Sequence, residues 1–338
     1  MLTLERLRRL RLMRRPPGQV LFANTVLRWD YRIPRKTEII IEGIEHIPRD
    51  RTVFLAMNHT DKYNYWPLQY EMYRRGLPFT ATWVKGKYYE HEAMATFMDA
   101  CNNIPLPSRG YVIATEYRTL TGDKPSSASY RALRDRVDRR IDADAPMTDL
   151  EPKAQTFVRA FCGSLDGAAF IARFDALWLS YLHEILRLTG KALNEVGNNL
   201  LLFPEGTRSS RLLRGQTGMM QVAWHLRHDI VPIGCNGSDD CYPDDRPFSR
   251  GGRIVYRVGK PLRIDGPELS PHAVDASVIP LTHQAALAHG DAYRAGTDVV
   301  MAHLEALLDA RYRPDRSATA PEDASALKAS KDGIGRFL

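Results

Sequence analysis

Short apolar runs, each bounded by polar or turn-forming residues, recur along the chain and indicate buried β-strands. Several of these runs contain no polar position, which is typical of strands covered on both faces by helices. The pattern predicts seven strands, at residues 38–41, 52–57, 79–84, 111–114, 200–203, 230–234 and 254–258.

Between these runs, apolar residues recur at the spacing of amphipathic helices. Helices are predicted at residues 66–75, 90–99, 175–196, 217–227 and 297–310. The last begins at Thr297, a residue type suited to capping a helix N-terminus, and its apolar stripe includes Val300 and Leu304. Strands that alternate with helices predict an α/β fold, a mixed and mostly parallel sheet flanked by helices.

Residues 115–174 interrupt this alternation, because they are polar, charged and helix-favouring over a long stretch. We interpret them as a helical insertion in the sheet domain. The predicted organisation is a basic amphipathic segment at 1–37, one α/β domain with the insertion at 38–312, and a tail at 313–338. The tail is rich in Ala, Ser, Asp and Lys and is expected to be disordered.

The beginning of the chain interleaves leucines with arginines, in the sequence MLTLERLRRLRLMRR at residues 1–15. A secretory signal requires an unbroken apolar run after its charges, which this segment does not contain. Two interpretations remain: a basic helix that lies against anionic lipid, or an ordinary helix with one packed face. The sequence contains no stretch near the roughly 18 consecutive apolar residues of a membrane-spanning helix.

Composition narrows the class of protein without identifying a function. Of the 338 residues, 44% are hydrophobic and 26% are charged, as in soluble globular proteins. The net charge of +7 favours anionic partners, but no recognised RNA or DNA motif accompanies it, so we expect no nucleic-acid partner. The cysteines and histidines show no metal-ligand spacing, so we expect free thiols and no metal site.

Polar and charged side chains gather where several predicted strands end. Residues 58–64 (NHTDKYN) and 85–87 (KGK) each follow a strand, 103–109 (NIPLPSR) come next, and 203–208 (FPEGTR) end the strand at 200–203. The following strand contains VPI at 231–233. Ligands in open α/β sheets bind beyond the carboxyl ends of the strands. These segments therefore predict one site that contains a histidine, several cations and a carboxylate.

This ordered set of segments resembles the PlsC-like family, the glycerol-3-phosphate and lysophosphatidic-acid O-acyltransferases. The resemblance covers residues 38–265, interrupted by 115–174, and FPEGTRS at 203–209 is its most specific part. It implies an enzyme that moves a fatty acyl group from acyl-CoA or acyl-carrier protein to a hydroxyl of a glycerol phosphate or a lysophospholipid. No cofactor beyond this co-substrate is expected.

The expected catalytic base is His59, because neutral imidazole can accept a hydroxyl proton near pH 7. A thioester already has a good leaving group, so we expect direct attack by the substrate hydroxyl without an acyl-enzyme intermediate. The family's partner for this histidine is an aspartate five residues later, where this chain has Asn64. An amide oxygen can accept the imidazole N–H but has no charge to stabilise an imidazolium. Asp61 is the other candidate partner, or else a helix N-terminal residue favoured by the dipole.

Arg208 is the strongest candidate for phosphate binding, because a guanidinium binds phosphate through two parallel hydrogen bonds. Gly206 permits the sharp backbone turn that presents it. By resemblance, the substrate phosphate-binding residues are Lys85, Arg109, Glu205, Gly206, Thr207 and Arg208. Glu205 has a second interpretation, in which it holds the turn by accepting backbone N–H bonds.

A long acyl chain requires an apolar groove near the catalytic base. Tyr63, Tyr65 and Trp66 follow His59 and either line that groove or belong to the core. The helix around 175–188 allows the same two interpretations, and the insertion at 115–174 is expected to influence substrate choice.

The leading interpretation is an O-acyltransferase of phospholipid biosynthesis that is cytoplasmic and peripheral on the cytoplasmic face of an anionic membrane. Two alternatives stay open. One is acylation of a different alcohol or amine, and the other is a catalytically weak family member that binds lipid as a membrane-surface module.

Overall fold

A mixed seven-stranded sheet forms the centre of the molecule, in the order β1-β7-β6-β2-β5-β3-β4. The computed structural model describes residues 1–315, so the disorder predicted for 313–338 concerns residues that lie almost entirely outside this range. The strands are β1 Thr37–Glu42, β2 Phe54–Met57, β3 Thr80–Lys85, β4 Asn103–Leu106, β5 Asn199–Leu202, β6 Ile230–Asn236 and β7 Gly252–Val258.

Five adjacent strands, β6, β2, β5, β3 and β4, run parallel, and their carboxyl ends therefore lie along one edge. Strand β7 is antiparallel to β6, and β1 is parallel to β7. The predicted fold class, a mixed and mostly parallel sheet flanked by helices, is confirmed.

Helices cover both faces of the sheet. The helices are α1 Leu4–Arg9, α2 Pro17–Phe22, α3 Arg28–Asp30, α4 Trp66–Arg74, α5 Glu92–Ala100, α6 Arg109–Thr121, α7 Ser127–Val137, α8 Pro152–Cys162, α9 Gly167–Lys191, α10 Gly218–Leu226, α11 Ser238–Cys241 and α12 His283–Ala306. A π-helical turn at Ala23–Leu27 joins α2 to α3, and another at Ala192–Val196 extends α9. Short 3-10 turns occur at Ile44–His46, Gly86–Tyr89, Ser270–His272 and Ala310–Tyr312.

The unbroken apolar runs of the sequence fill two separate cores, one on each face of the sheet. Alternate residues of a strand point to opposite faces. Phe54 and Ala56 of β2 accordingly pack in the core that contains α9, whereas Leu55 and Met57 pack in the core that contains α4. All four residues are fully buried.

Two of the predicted elements are wrong. The run at 111–114 is not a strand but part of α6, and the strand next to β3 at that edge of the sheet is β4, at 103–106. The hydroxyl of Ser108 accepts the backbone N–H of Tyr111 and so begins a helix immediately after β4. A run of four apolar residues fits either element, and here the cap decides.

The second error concerns the last helix, which was predicted to begin at Thr297. It begins at His283, with Thr282 as its N-cap accepting the backbone N–H of Ala285. The hydroxyl of Thr297 instead donates to the carbonyl of Tyr293 inside the helix. A threonine in a helix satisfies its hydroxyl in this way, so the residue type alone does not locate a helix start.

The leucines near the beginning of the chain pack against the protein. Leu2, Leu7, Leu10 and Leu12 are all buried in the core that contains α9. The guanidinium of Arg6 contacts carboxylate oxygens of Glu92 and Asp99, each at 2.9 Å. The structure therefore supports the interpretation of this segment as a helix with a packed face, and these leucines are not available to insert into lipid.

Residues 109–191 form the four helices α6, α7, α8 and α9 between β4 and β5. They include the stretch interpreted as an insertion, although the predicted domain boundaries stay predictions. Of the helices formed by residues 1–315, none has the length and apolarity required to cross a membrane.

Candidate active site

All of the predicted site residues except Arg109 lie at or beyond the carboxyl ends of three neighbouring strands. His59 is two residues beyond the end of β2, the FPEGTR segment follows β5, and Lys85 is the last residue of β3. The sheet places β5 between β2 and β3, with Ala56 opposite Leu202 in the register. Chain segments more than a hundred residues apart in sequence thus meet at one edge.

Glu205 joins two of these segments through backbone hydrogen bonds. One carboxylate oxygen accepts the backbone N–H of His59 at 2.7 Å, and the other accepts the backbone N–H of Leu213 at 2.8 Å. The side chain is only 3% exposed, and burial raises the pKa of this carboxyl to about 7, although both hydrogen bonds lower it. These contacts correspond to the interpretation in which Glu205 holds the turn.

Gly206 occupies the bend of the same turn with a φ of 68°, in the left-handed region that glycine adopts without steric cost. Its backbone N–H donates to the carbonyl of Phe203 at 3.1 Å, and beyond the bend the N–H of Ser209 donates to the carbonyl of His59 at 2.9 Å. The turn therefore leaves Thr207 and Arg208 exposed beside His59, where both line the same cavity.

The imidazole of His59 has Asn64 as its hydrogen-bond partner within the part of the chain that the structure describes. His59 Nδ1 lies 3.3 Å from Asn64 Oδ1, while Asn64 Nδ2 donates to the backbone carbonyl of Asn58 at 2.8 Å. Because the amide nitrogen must face that carbonyl, the amide oxygen faces the imidazole and accepts its Nδ1–H. This arrangement leaves the lone pair on Nε2, the tautomer that a general base requires.

Charge and burial both oppose protonation of this histidine. Burial lowers the pKa of His59 to about 4, the hydrogen bond to Asn64 raises it, and the positive charges of Arg208 and Lys85 lower it further. The imidazole is therefore neutral at pH 7. It can accept a proton, but the imidazolium that results has no carboxylate hydrogen-bonded to its ring among residues 1–315.

Phe203 stacks on the imidazole, a contact that the sequence did not predict. The ring centroids of His59 and Phe203 lie 3.9 Å apart with an angle of 15° between the planes. Tyr65 packs its ring against Phe203 at 6.0 Å and 69°. Phe203 is the first residue of the FPEGTR segment, and this position in the motif was the one feature of the sequence that could have indicated the contact.

A cavity of about 580 Å³ opens beside His59. Its cationic side chains include Lys62, Lys85, Lys87 and Arg208, of which Lys62 and Lys87 were not among the predicted phosphate-binding residues. The guanidinium of Arg208 is half exposed and lies 3.5 Å from a carboxylate oxygen of Asp245. The apolar lining comes from helices, strands and a loop, and includes Phe22, Val26, Tyr65, Trp66, Trp83, Val84, Met94, Phe97, Met98, Leu106, Leu202 and Phe248.

The aromatic residues after His59 have both of the roles considered for them. Tyr63, Tyr65 and Trp66 all line the cavity, and Tyr63 is also 5% exposed within the core that contains α4. The helix around 175–188 is different. Its residues Phe174, Trp178, Leu182 and Ile185 are buried in the opposite core, and this helix supplies none of the residues that line the cavity in the described part of the chain.

The carboxylate of Asp61 does not bind the imidazole of His59, although Asp61 was a candidate partner for it. One of its oxygens accepts the backbone N–H of Tyr63 at 2.8 Å and the other accepts the hydroxyl of Thr60 at 3.0 Å. Such a turn, in which a carboxylate binds the backbone two residues ahead, is a common local use of aspartate. Burial raises the pKa of Asp61, and its contacts are structural.

Arg109 does not reach the cavity and cannot complete an anionic pocket there. The side chain is 3% exposed, donates to the backbone carbonyl of Val137 at 3.0 Å, and lies over the ring of Trp178. Arg109 is the first residue of α6, so the helix start directs it among α7 and α9. Of the predicted phosphate-binding residues, Lys85, Gly206, Thr207 and Arg208 line the cavity.

Comparison with known proteins places the chain in a family. A family model described as Acyltransferase matches residues 38–236, more than half of the chain. No curated protein matches the chain. Among solved structures, it is similar to the 1-acyl-sn-glycerophosphate (LPA) acyltransferase PlsC from Thermotoga maritima, with 14% identity over 83% of this chain and 77% of that one and a TM-score of 0.39.

The family match includes His59, Lys85 and the FPEGTR segment, the residues that meet at the edge of the sheet. It confirms the assignment made from those motifs. The chain therefore belongs to the Acyltransferase family, and the protein is an acyltransferase.

Proposed function

We propose that this acyltransferase moves a fatty acyl group from an acyl thioester to a hydroxyl of a glycerol phosphate or a lysophospholipid. The thioester is acyl-CoA or acyl-carrier protein, and no other cofactor takes part. The observation that carries the proposal is that a neutral His59 lines the same cavity as several cations and a set of apolar side chains. A phosphate ester with a nearby hydroxyl and a long acyl chain match these three features.

His59 is the general base in this mechanism. The lone pair on Nε2 accepts the proton of the acceptor hydroxyl as its oxygen attacks the thioester carbonyl carbon. The carbon–sulfur bond then breaks, and the imidazolium returns the proton to the departing thiolate. Asn64 supports both steps, because its amide oxygen keeps Nδ1 protonated and the ring fixed.

Arg208, Lys85 and the hydroxyl of Thr207 bind the phosphate of the acceptor. Arg208 and Lys85 are both exposed at the cavity, and each supplies N–H donors with a positive charge. Glu205 does not contact the substrate in this proposal. It positions the base, since one of its oxygens holds the backbone of His59 and the other holds the loop at Leu213.

An anionic membrane surface is the proposed docking partner, on the cytoplasmic face. Phe248, 59% exposed, and Phe97, 39% exposed, lie at the cavity together with Lys62 and Lys87. Exposed aromatic rings beside cations favour an anionic bilayer. In flotation with anionic vesicles, Phe248→Ala should weaken binding, whereas the control Leu287→Ala, which removes a 75% exposed leucine of α12, should not. Equal effects of the two substitutions would refute this docking surface.

A transfer assay tests the proposed reaction. Purified protein is given labelled palmitoyl-CoA or palmitoyl-carrier protein with a panel of acceptors: glycerol 3-phosphate, lysophosphatidic acid, other alcohols and amines. We expect turnover with a phosphate-bearing hydroxyl acceptor, and His59→Ala should lose at least about 10²-fold of it, the contribution typical of general-base catalysis. Turnover that survives His59→Ala, or transfer to amines alone, would contradict the proposal.

A further inference from the structure

In the proposed reaction His59 becomes a positively charged imidazolium, and its surroundings include two other cations. The groups around it are the amide of Asn64 on Nδ1, the cations Lys85 and Arg208, and the carboxylate of Glu205. Glu205 binds two backbone N–H groups, His59 and Leu213, and Asp61 binds its own turn. The cations destabilise an imidazolium and the amide supplies only a dipole, so another stabilising contact matters here.

We propose that the ring of Phe203 stabilises the positive charge that His59 acquires when it takes the hydroxyl proton. This inference rests on the proposed function, in which His59 is the base. Phe203 does not contact the reacting hydroxyl in this role, and it is therefore a positioning residue that acts through the imidazole.

The geometry of the two rings supports this role. The face of an aromatic ring is negative, and it attracts a cation that lies within about 6 Å of the ring centroid. The imidazole lies at 3.9 Å and nearly parallel, well within that distance. Because the interaction involves the ring face, it stabilises the charged imidazolium more than the neutral imidazole, which is the difference that lowers a reaction barrier.

The backbone keeps this stack in register. Phe203 directly follows β5, whose partner β2 leads into His59, and Glu205 ties the backbone of His59 to the same turn. Tyr65 also contacts the ring of Phe203 in an edge-to-face arrangement and so supports its position. Stack and hydrogen bonds thus hold the imidazole from two directions, the ring face and Nδ1.

The substitution Phe203→Leu is not a sufficient test, because loss of packing also slows an enzyme. The sharper series replaces Phe203 with phenylalanine analogues that contain one, two, three or more ring fluorines. These keep the ring and nearly its shape, while each fluorine weakens the negative potential of the face. The control is the same series at Phe54, a fully buried residue of β2 in the core.

We expect kcat at pH 7.5 to fall stepwise with the number of fluorines at Phe203, by about 2- to 30-fold over the series. KM for glycerol 3-phosphate should stay constant, and the series at Phe54 should leave kcat unchanged. A kcat that is independent of fluorination at Phe203, in protein that is folded by circular dichroism, would overturn the inference.

A second measurement is independent of activity. The pKa of His59 is measured from the NMR shift of its Cε1–H. The measurement uses the Asn64→Asp variant, because a carboxylate beside Nδ1 is expected to raise the pKa of His59 to a more accessible pH. Fluorination of Phe203 should lower that pKa by about 0.4 to 1.5 pH units. A pKa that does not change with fluorination would overturn the inference, whether or not the protein transfers an acyl group. A wild-type protein that transfers no acyl group would refute the proposed function instead.

Discussion

Asn64→Asp is the substitution that most directly tests how the site sets the basicity of His59. It replaces the amide by a carboxylate of the same shape, at an oxygen 3.3 Å from His59 Nδ1 in a residue that is fully buried. An opposite charge at such a distance raises the pKa of a histidine by about 1 to 3 pH units. Since one pKa unit corresponds to 1.36 kcal/mol, the carboxylate should stabilise the imidazolium relative to the neutral imidazole by about 1–4 kcal/mol.

The substitution also has a structural cost. Asn64 Nδ2 donates to the carbonyl of Asn58 at 2.8 Å. In the variant, a carboxylate oxygen replaces this nitrogen and has no proton to donate, so the carbonyl of Asn58 loses its hydrogen bond. A buried acceptor that loses its donor costs about 1–3 kcal/mol, so we expect the variant to be less stable above the pKa of the introduced group. The control is Asn198→Asp, which makes the same change at another fully buried asparagine. Asn198 directly precedes β5, and its amide donates to the carbonyl of Arg14.

The assay is the pH dependence of kcat/KM. Burial and the nearby cations lower the pKa of His59 to about 4, so wild-type activity should be lost only as the pH falls through about 4. Asn64→Asp should move this acidic limb upward by about 1 to 3 pH units, whereas Asn198→Asp should reduce stability and leave the limb in place. A folded Asn64→Asp enzyme with an unmoved acidic limb would refute either His59 as the titrating base or Asn64 as its partner.

Two further substitutions test roles that the structure assigns to buried charged residues. Burial raises the pKa of Glu205 from 4.5 to about 7, so the native state holds a proton that the unfolded chain has lost. Glu205 should therefore contribute a fall of up to about 3 kcal/mol in the free energy of unfolding as the pH rises from 4.5 to 7. Urea titrations over this range should show a smaller fall in Glu205→Gln than in the wild type. An equal fall in the two proteins would contradict this prediction. Arg109→Met leaves the carbonyl of Val137 without its donor and should lower the melting temperature, while KM for a phosphate-bearing acceptor stays within about twofold. For Arg208→Met we expect KM to rise about tenfold. A similar rise for Arg109→Met would mean that Arg109 does bind the phosphate.

The convergence of the site was predictable because it depends on strand ends. Buried parallel strands are visible as apolar runs, and polar motifs directly after them must share one edge of the sheet. That reasoning brought His59, Lys85 and Arg208 together correctly. It failed for Arg109, because a short loop joins the end of β4 to the start of α6 and the Ser108 cap decides which way the chain turns.

The finer contacts depend on information that no local pattern contains. The stack of Phe203 on His59 follows from the register of β5 against β2, which is fixed by the packing of both cores. The orientation of the Asn64 amide follows from the position of one carbonyl, that of Asn58. The leucines of residues 1–15 were ambiguous for a similar reason, since the surface that buries them is formed by α9 and other distant elements.

If the acceptor phosphate binds as proposed, the cations beside His59 should couple its basicity to the binding of that phosphate. Arg208 and Lys85 contribute to the low pKa of His59, and both lie where the acceptor phosphate is proposed to bind. A phosphate monoester has a charge of about −1.5 to −2 near pH 7 and about −1 near pH 4, where His59 titrates, and either charge offsets their field. The base should therefore become stronger when the acceptor is in place.

By linkage, a ligand that raises the pKa of His59 must itself bind more tightly as the pH falls through that pKa. The measurement is an NMR titration of the His59 ring from pH 3 to 8, with and without saturating glycerol 3-phosphate, with Arg208→Met as the control. We expect the phosphate to raise the pKa in the wild type and to raise it less in the variant. An equal pKa with and without phosphate would mean that the phosphate binds out of reach of His59, and the proposed acceptor site would then be wrong.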